Sequence, residues 1–235
     1  QFDFALEFAK VGHLNYEKMN RLLDQGREVS VCLEFVEENP LEKIVDGVFD
    51  ETLVDYASFL SGRPVSIRPL HEANGNWYPW GSPDSPDLFV RAWKHVWHLF
   101  QGSGVQFMWH VNASMGTRSL ASLFPGDPYV DGILVSCYNR AGTSPWHHWQ
   151  SFADLFEDTY LEIKAFTSLP LGVGETGSTS HGGNKAEWIR DAFRSFQEFG
   201  LSQVTWFLEN KTGGRDWDLN SEEERQAFVE GLSSV

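Results

Sequence analysis

The chain has 235 residues, of which 41% are hydrophobic and 14% aromatic, and its formal net charge is -15 at pH 7. This length suits one sizeable core and is short for two, so we predict a single domain over residues 1–235. The acidic charge, with no cluster of Lys or Arg, excludes nucleic acid and anionic membranes as partners. No apolar run is long enough to span a bilayer.

Strand-like and helical segments alternate along the whole chain. Strands are predicted from short apolar runs rich in β-branched and aromatic residues, and helices from helical periodicity. In chain order the pattern predicts strand Phe2–Phe8, helix Asn15–Gln25, strand Glu28–Phe35, helices Leu41–Val45 and Glu51–Leu60, strand Pro64–Leu70, helix Pro86–Gln101, strands Val105–Val111 and Gly132–Tyr138, helix Trp149–Ser168, strand Pro170–Glu175, helix Lys185–Phe199, strand Gln203–Leu208 and helix Ser221–Leu232.

This alternation is typical of a parallel sheet, and strands that are apolar throughout indicate burial on both faces. An open nucleotide-binding sheet would carry a glycine-rich turn after its first strand, and residues 8–13 contain none. We therefore predict an α/β fold, a (β/α)8 TIM-type barrel. The longest irregular stretches, residues 77–84, 112–129 and 139–148, all follow strands, where such barrels carry their chemistry.

The predicted strand ends meet at one mouth of such a barrel. They present Glu34, His71 with Glu72, Trp109, Tyr138 with Asn139, Glu175 and Trp206. The strand end with the most candidate functional residues is residues 68–81, RPLHEANGNWYPWG, where a predicted buried strand leads into a loop of aromatic residues and glycines. A carboxylate beside stacking rings is typical of a site that cleaves sugars.

Two of the carboxylates suit the hydrolysis of a glycosidic bond. This reaction needs one carboxyl group that protonates the leaving oxygen and a second that attacks the sugar or directs water. Glu72 and Glu175 end strands that lie across the mouth of a barrel from each other. Their side chains can therefore meet at the ~5–5.5 Å spacing of a retaining, double-displacement mechanism.

Neighbouring residues have predicted supporting roles. Tyr138 can donate a hydrogen bond that keeps the nucleophile ionised, and Arg68 supplies positive charge that lowers the pKa of a carboxylate. His71 is predicted to be an orienting hydrogen-bond partner. Trp206 can form the floor of a sugar pocket, because an indole lies flat against the apolar face of a pyranose.

Each of these residues also has an ordinary structural explanation. A glutamate at a strand end is most often solvated or in a salt bridge, and Trp109 and Trp206 suit a core equally well. The neighbours His147 and His148 have no carboxylate or cysteine at zinc spacing, so neither a metal nor another cofactor is predicted. Two cysteines, Cys32 and Cys137, are interpreted as small buried residues rather than a disulfide.

The loop after Pro64–Leu70 carries a recognisable motif. Its residues Arg68-x-x-His71-Glu72-x-x-Gly75-x-Trp77, followed by Tyr78-Pro79-Trp80, resemble the acid/base motif of glycoside hydrolase family 26, best known for endo-β-1,4-mannanases. Further segments resemble this family in the same order along the chain. Residues 107–112 resemble its fifth strand, and residues 124–131 with 138–139 resemble the segment around its sixth strand. Residues 174–177 resemble its nucleophile strand, and residues 206–207 with 216–217 resemble its closing segment.

The resemblance implies roles for individual residues. Glu72 would be the general acid/base, Glu175 the nucleophile and Tyr138 the hydrogen-bond partner of that nucleophile. The aromatic walls of the sugar sites would be Trp77 and Trp206. The substrate-binding residues are then predicted to be Arg68, His71, Trp77, Trp80, Trp109, Tyr138, Trp206, Glu34 and Asp216.

Two features depart from the family pattern. The acid/base should end the fourth strand, yet only two predicted strands precede Pro64–Leu70, so the first strand-helix unit of the barrel is missing. Such a gap leaves unpaired sheet edges, and we expect another segment, a partner chain or a rearranged N-terminus to cover them. Glu34 stands where many mannanases of the family present a His, which leaves the substrate open.

The predicted function is retaining hydrolysis of internal β-linkages in a plant-type or algal polysaccharide, with β-1,4-mannan or glucomannan first. Lichenase-type and β-1,3-xylanase-type activities of the same family are alternatives. A carbohydrate-binding relative without turnover is a further alternative, and an open-sheet enzyme acting on a phosphorylated metabolite is a remote one. Because polymers do not enter cells, we expect a secreted protein whose partner is a polysaccharide or oligosaccharide.

Overall fold

Four parallel strands form the sheet of the N-terminal part of the chain. In the computed structural model, which describes residues 4–113 and 119–234, they are successive neighbours: β1 (Phe4–Lys10), β2 (Glu28–Glu34), β3 (Val65–Pro69) and β4 (Gln106–Asn112). Between them run the helices α1 (Tyr16–Asp24), α2 (Pro40–Val45), α3 (Asp50–Leu60) and α4 (Pro86–Leu99). Val31, Cys32 and Leu33 of β2 are fully buried, as expected of a strand that is covered on both faces.

The chain divides into two compact units, Gln1–Ile133 and Leu134–Val235. The second unit holds most of β5 (Gly132–Asn139), with β6 (Leu171–Ser178) between β5 and β7 (Val204–Trp206). It also contains a short antiparallel hairpin of β8 (Asn210–Lys211) and β9 (Arg215–Asp216). Its helices are α5 (Phe152–Lys164), α6 (Lys185–Glu198) and α7 (Glu222–Leu232). The prediction that residues 1–235 form one catalytic domain stays a prediction.

Each predicted strand and helix has a counterpart in the structure, and two boundaries differ for clear reasons. Strand β6 continues past Glu175 because its small polar residues are satisfied there: the Thr176 hydroxyl donates to the Cys137 carbonyl at 2.7 Å. Helix α5 begins only at Phe152, because Ser151 and Asp154 form a capping box.

Some elements have no periodicity that a sequence pattern could reveal. These are the two-residue strands β8 and β9 and the 3₁₀ turns Leu120–Ser122 and Asp127–Tyr129. Of the predicted first strand, Phe2 and Asp3 lie outside the described residues, as do residues 114–118 of the predicted loop 112–129. The segment expected to cover an open sheet edge beside β1 stays a prediction. Within the described parts of the chain, no helix is long and apolar enough to cross a membrane.

Close packing of α7 on α6 depends on Gly231. A Cβ added there would lie 2.1 Å from a ring carbon of Phe193, and Phe193 itself packs against Phe196 and Phe228. We expect Gly231→Ala to lower the free energy of unfolding by about 1–3 kcal/mol, because the ring must shift in a packed cluster. Urea unfolding measures this change. The control Glu223→Ala, at an exposed position of the same helix, should stay within about 0.5 kcal/mol; equal values for both variants would contradict the packing argument.

Candidate active site

The turn after β3 holds two residues in the left-handed backbone region. Leu70 and Glu72 both have a φ of 54°, which costs a non-glycine residue roughly 1–3 kcal/mol. The Glu72 N–H donates to the His110 carbonyl at 2.7 Å and ties this turn to β4. Strain of this kind persists where the surroundings hold a side chain in place for a function, so the turn is the first candidate for a site.

The Glu72 carboxylate is held by one side-chain donor on each oxygen. The Asn112 side-chain amide donates to Oε1 at 2.8 Å, and the Trp77 indole N–H donates to Oε2 at 2.8 Å. Only 7% of Glu72 is exposed. This carboxylate is therefore fixed in position and nearly out of solvent, as an acid/base group has to be.

Asn112 was not among the predicted site residues, although its amide contacts the predicted acid/base. Its own backbone is held in turn by Asn74, whose side chain donates to the Asn112 carbonyl at 2.7 Å and accepts from its N–H at 2.8 Å. The available signal was a polar residue at the end of an otherwise apolar strand. That signal is weak by itself, because the contact joins residues that are 40 positions apart.

Trp77 combines an exposed ring with an anchored nitrogen. It is 39% exposed, and its ring lies so close over Gly75 that a Cβ there would come within 2.3 Å of the indole. Gly75 therefore provides the space for the ring. An indole that is fixed at one edge and open to solvent at the other is suited to stack against a sugar.

Trp80 supports the turn from within. It is fully buried, its indole N–H donates to the His71 carbonyl at 2.8 Å, and its ring stacks on Tyr78 at 4.5 Å. The hydroxyl of Tyr78 lies 2.9 Å from His71 Nε2. The predicted substrate contact of Trp80 is thus corrected to a packing role, because a buried ring cannot reach a sugar.

His71 and Arg68 form the buried polar layer beneath Glu72. Arg68 is fully buried, and its Nε donates to the Ser30 hydroxyl at 2.8 Å. Burial and then the Arg68 charge lower the pKa of His71 to about 3, and the same two causes hold the pKa of His110 well below its usual value. Both imidazoles are therefore neutral near pH 7, and His71 acts as an uncharged hydrogen-bond partner of Tyr78. The predicted effect of Arg68 on a carboxylate stays a prediction.

Two further predicted residues of the first unit have different surroundings. Glu34 ends β2 half-buried, and burial raises the pKa of its carboxyl group while Lys10 opposes this shift. Trp109 is 1% exposed and packs edge-on against Phe124 at 5.2 Å. Its predicted substrate contact is corrected to core packing, one of the two explanations that the sequence left open.

In the second unit, Glu175 lies on β6 with 8% of its surface exposed. The Tyr138 hydroxyl donates to its Oε2 at 2.9 Å, which is the predicted hydrogen bond. The Tyr138 ring is enclosed by Trp217 at 4.9 Å and Phe207 at 6.3 Å between ring centroids. Glu175 is therefore a buried carboxylate that accepts a hydrogen bond from a positioned hydroxyl group.

The carboxylate of Asp216 is already engaged by the chain itself. It accepts from the Ser180 N–H at 3.2 Å and from the Ser180 hydroxyl at 2.6 Å. Ser180 follows β6, so Asp216 ties the hairpin to the strand that carries Glu175. Asp216 therefore has an anchoring role, and its predicted substrate contact stays a prediction.

Trp206 packs among helices rather than beside the Tyr138 ring. Its ring stacks on Phe193 at 5.9 Å and meets Phe228 at 5.1 Å. Trp206 is only half-buried, and its predicted role as an aromatic wall of a sugar site stays a prediction. Its neighbour Phe207, which was not predicted, contacts Tyr138 instead. Cys32 and Cys137 are both buried, and burial raises the pKa of the Cys137 thiol.

The structure thus assembles two carboxylate centres, each within its own unit. Glu72, Trp77 and Asn112 form the first, above the His71 and Arg68 layer, and Glu175 with Tyr138 forms the second. One presents a fixed carboxylate beside an open ring, which suits proton transfer to a sugar oxygen. The other presents a buried carboxylate with a hydroxyl donor, which suits nucleophilic attack.

Known proteins resemble the chain in sequence over most of its length. The model of glycosyl hydrolase family 26 matches residues 23–167. Endoglucanase H of Acetivibrio thermocellus is 34% identical over 192 residues, which cover 74% of this chain and 21% of that protein. The mannan endo-1,4-beta-mannosidase A and B of Caldalkalibacillus mannanilyticus is 25% identical over 190 residues, which cover 76% of this chain and 34% of that protein. The chain therefore spans about a fifth to a third of the length of these curated relatives.

Solved structures resemble the chain in fold. The catalytic domain of the GH26 endo-beta-1,4-mannanase of Bacillus sp. JAMB-750 superposes with a TM-score of 0.73 at 17% identity, covering 93% of this chain and 68% of that chain. Its fold is a (β/α)8 barrel, and the described residues carry seven parallel strands of this fold class. The predicted TIM-type fold that lacks one unit is confirmed. Because the family model also matches more than half of the sequence, the chain belongs to glycosyl hydrolase family 26.

Proposed function

We propose that this chain hydrolyses internal β-linkages of a polysaccharide by double displacement. Glu72 protonates the leaving oxygen and then deprotonates water, and Glu175 attacks the anomeric carbon to form a covalent glycosyl-enzyme. Tyr138 holds the nucleophile ionised, and Trp77 stacks on a sugar ring. Because a polymeric substrate does not enter cells, we expect the protein to act outside the cell.

The observation that carries this proposal is the pair of buried carboxylates with different partners. Glu72 is held by an amide and by an indole whose ring is open to solvent, whereas Glu175 receives a phenolic hydroxyl. Different surroundings are the means by which one carboxyl group becomes an acid and another a nucleophile. Membership of a glycosidase family supports the same division of roles.

The first candidate substrate is β-1,4-mannan or glucomannan. The Caldalkalibacillus mannanilyticus relative is named a mannan endo-1,4-beta-mannosidase, and the structure with a TM-score of 0.73 is an endo-beta-1,4-mannanase. Both names support a substrate with a mannan-type backbone that is cleaved at internal linkages.

A glucan is the second candidate, and two observations favour it. The relative with 34% identity over 192 residues is named an endoglucanase, whereas two relatives named mannan endo-1,4-beta-mannosidases are 25% identical over 190 residues and 31% identical over 107 residues. Glu34 also differs from the His that mannanases of the family present at this strand end, and it is only half-buried. A carboxylate at this position would accept hydrogen bonds from sugar hydroxyls, and this changes which sugar of the backbone the site prefers.

The release of reducing ends tests both candidates. The purified chain is incubated with mannan, glucomannan, mixed-linkage β-glucan and β-1,3-xylan, and solution viscosity is followed in parallel. Endo action predicts that viscosity falls long before most linkages are cut. Binding to a glycan without any release of reducing ends would replace the proposal by a carbohydrate-binding protein without turnover.

A further inference from the structure

Tyr138 depends on the C-terminal hairpin segment for its position. Its ring packs against Trp217 and Phe207, and the ammonium group of Lys211 lies 4.4 Å from the Phe207 ring centroid. Both Trp217 and Lys211 belong to residues 210–220, which we call the hairpin segment. A displacement of this segment would therefore move the ring whose hydroxyl donates to Glu175.

Lys185 anchors the hairpin segment on both sides of Trp217. Its ammonium group donates to the Asp216 carbonyl and to the Asp218 carbonyl at 2.6 Å. The carbonyl groups of the two residues that flank Trp217 are thus held by one cation. Trp217 is only 4% exposed, and its ring lies 4.9 Å from the Tyr138 ring between centroids.

The burial of Lys185 indicates that this anchor has a specific purpose. Its side chain is 1% exposed, although lysine is seldom buried without a partner. Glu224 Oε2 lies 3.5 Å from the ammonium nitrogen and also accepts from the Asn220 N–H at 2.8 Å. Burial lowers the pKa of Lys185, and Glu224, Asp216 and Asp218 oppose that shift. The buried ammonium group thus donates hydrogen bonds to two carbonyls of this segment and is paired with Glu224.

We propose that Lys185 is a positioning residue for the nucleophile. By holding the carbonyls on both sides of Trp217, it keeps the indole against Tyr138 and so keeps the Tyr138 hydroxyl on Glu175. The inference rests on the proposed function and adds a residue that touches neither the substrate nor the carboxylate.

A double-mutant cycle between Lys185 and Tyr138 tests the proposal. We expect Lys185→Met to lower kcat by about tenfold and to change KM less than about twofold, because the bond to the nucleophile is loosened while sugar contacts stay. On the Tyr138→Phe background the same change should lower kcat by less than about twofold, because the hydroxyl is already absent. A further tenfold loss on that background, or an unchanged kcat in the single variant, would overturn the proposal.

Two additional variants keep this test decisive. The control Lys164→Met removes an exposed lysine of α5 and should leave kcat unchanged. If Lys185→Met does not fold, Trp217→Leu removes the indole while the anchor stays. It should show the same kcat loss and the same lack of additivity with Tyr138→Phe, and additive losses would overturn the proposal.

A measurement without substrate separates this inference from the proposed function. The chain has six tyrosines, so the ¹³Cζ NMR signal of labelled Tyr138 can be assigned with Tyr138→Phe. Lys185→Met should shift this signal in the same direction as Glu175→Ala, which removes the acceptor, whereas Lys164→Met should not. An unmoved signal overturns the positioning role even in an active enzyme. A moved signal supports it even if no glycan is cleaved.

Discussion

Glu175→Ala is expected to abolish hydrolysis, with kcat lowered about 10⁴-fold or more. The nucleophile is removed, so no glycosyl-enzyme can form, while the acid/base centre around Glu72 is untouched. Affinity for oligosaccharides should remain within a few-fold, because Trp77 and the turn after β3 belong to the other unit. Reducing-end release on the best of the four polysaccharides and calorimetric titration with an oligosaccharide measure the two effects.

Azide makes the assignment of Glu175 specific. With an activated aryl β-glycoside, azide should occupy the space left by the carboxylate, attack the anomeric carbon directly and expel the phenolate, giving the α-glycosyl azide. The control Glu198→Ala removes an exposed carboxylate of α6 and should keep full activity. Unchanged activity of Glu175→Ala would disprove the assignment.

Glu72→Ala is expected to lower kcat/KM on polysaccharides by roughly 10²–10⁴-fold, the usual contribution of general acid/base catalysis. The loss should be much smaller for bond cleavage in an aryl glycoside with a good leaving group, because such a group departs without protonation. A burst of phenolate followed by slow turnover is expected, since water also loses its base. Stopped-flow absorbance measures the burst.

Azide separates the two carboxylates by the stereochemistry of the product. With Glu72→Ala, azide should attack the covalent intermediate and give the β-glycosyl azide, opposite to the product of Glu175→Ala. Glu51→Ala removes an exposed carboxylate of the first unit and serves as the matched control. An equal loss of rate for good and poor leaving groups would argue against Glu72 as the acid.

The fold was predictable where a buried strand appears in the sequence as an uninterrupted run of apolar residues. The apolar run of β2 corresponds to residues that are buried on both faces, and such a run has few other structural explanations. The predicted start of α4 at Pro86 agrees with the structure, in which Ser85 caps the helix. The hairpin β8–β9 was not predicted, because strands of two residues are too short to show an alternation of apolar and polar residues.

The sequence predicted the hydrogen bond between Tyr138 and Glu175, which the structure contains, and the catalytic roles of Glu72 and Glu175 stay predictions. Trp206 and Phe207 show where prediction ended: adjacent residues of an extended segment point to opposite sides. The sequence offers two large rings and no means of choosing between them. Only the packing of α6 and α7 around Trp206 decides that Phe207 meets Tyr138.

By itself the sequence determined the order of strands and helices and the family, and it proposed the two carboxylates. These follow from local periodicity and from short motifs, which fold into the same geometry wherever they occur. Only the tertiary structure decided that Asn112 binds Glu72, that Trp80 and Trp109 are packing residues, and that Lys185 holds Trp217. These contacts join residues far apart in the chain, and a contact of that kind depends on how whole elements pack rather than on the residues beside it.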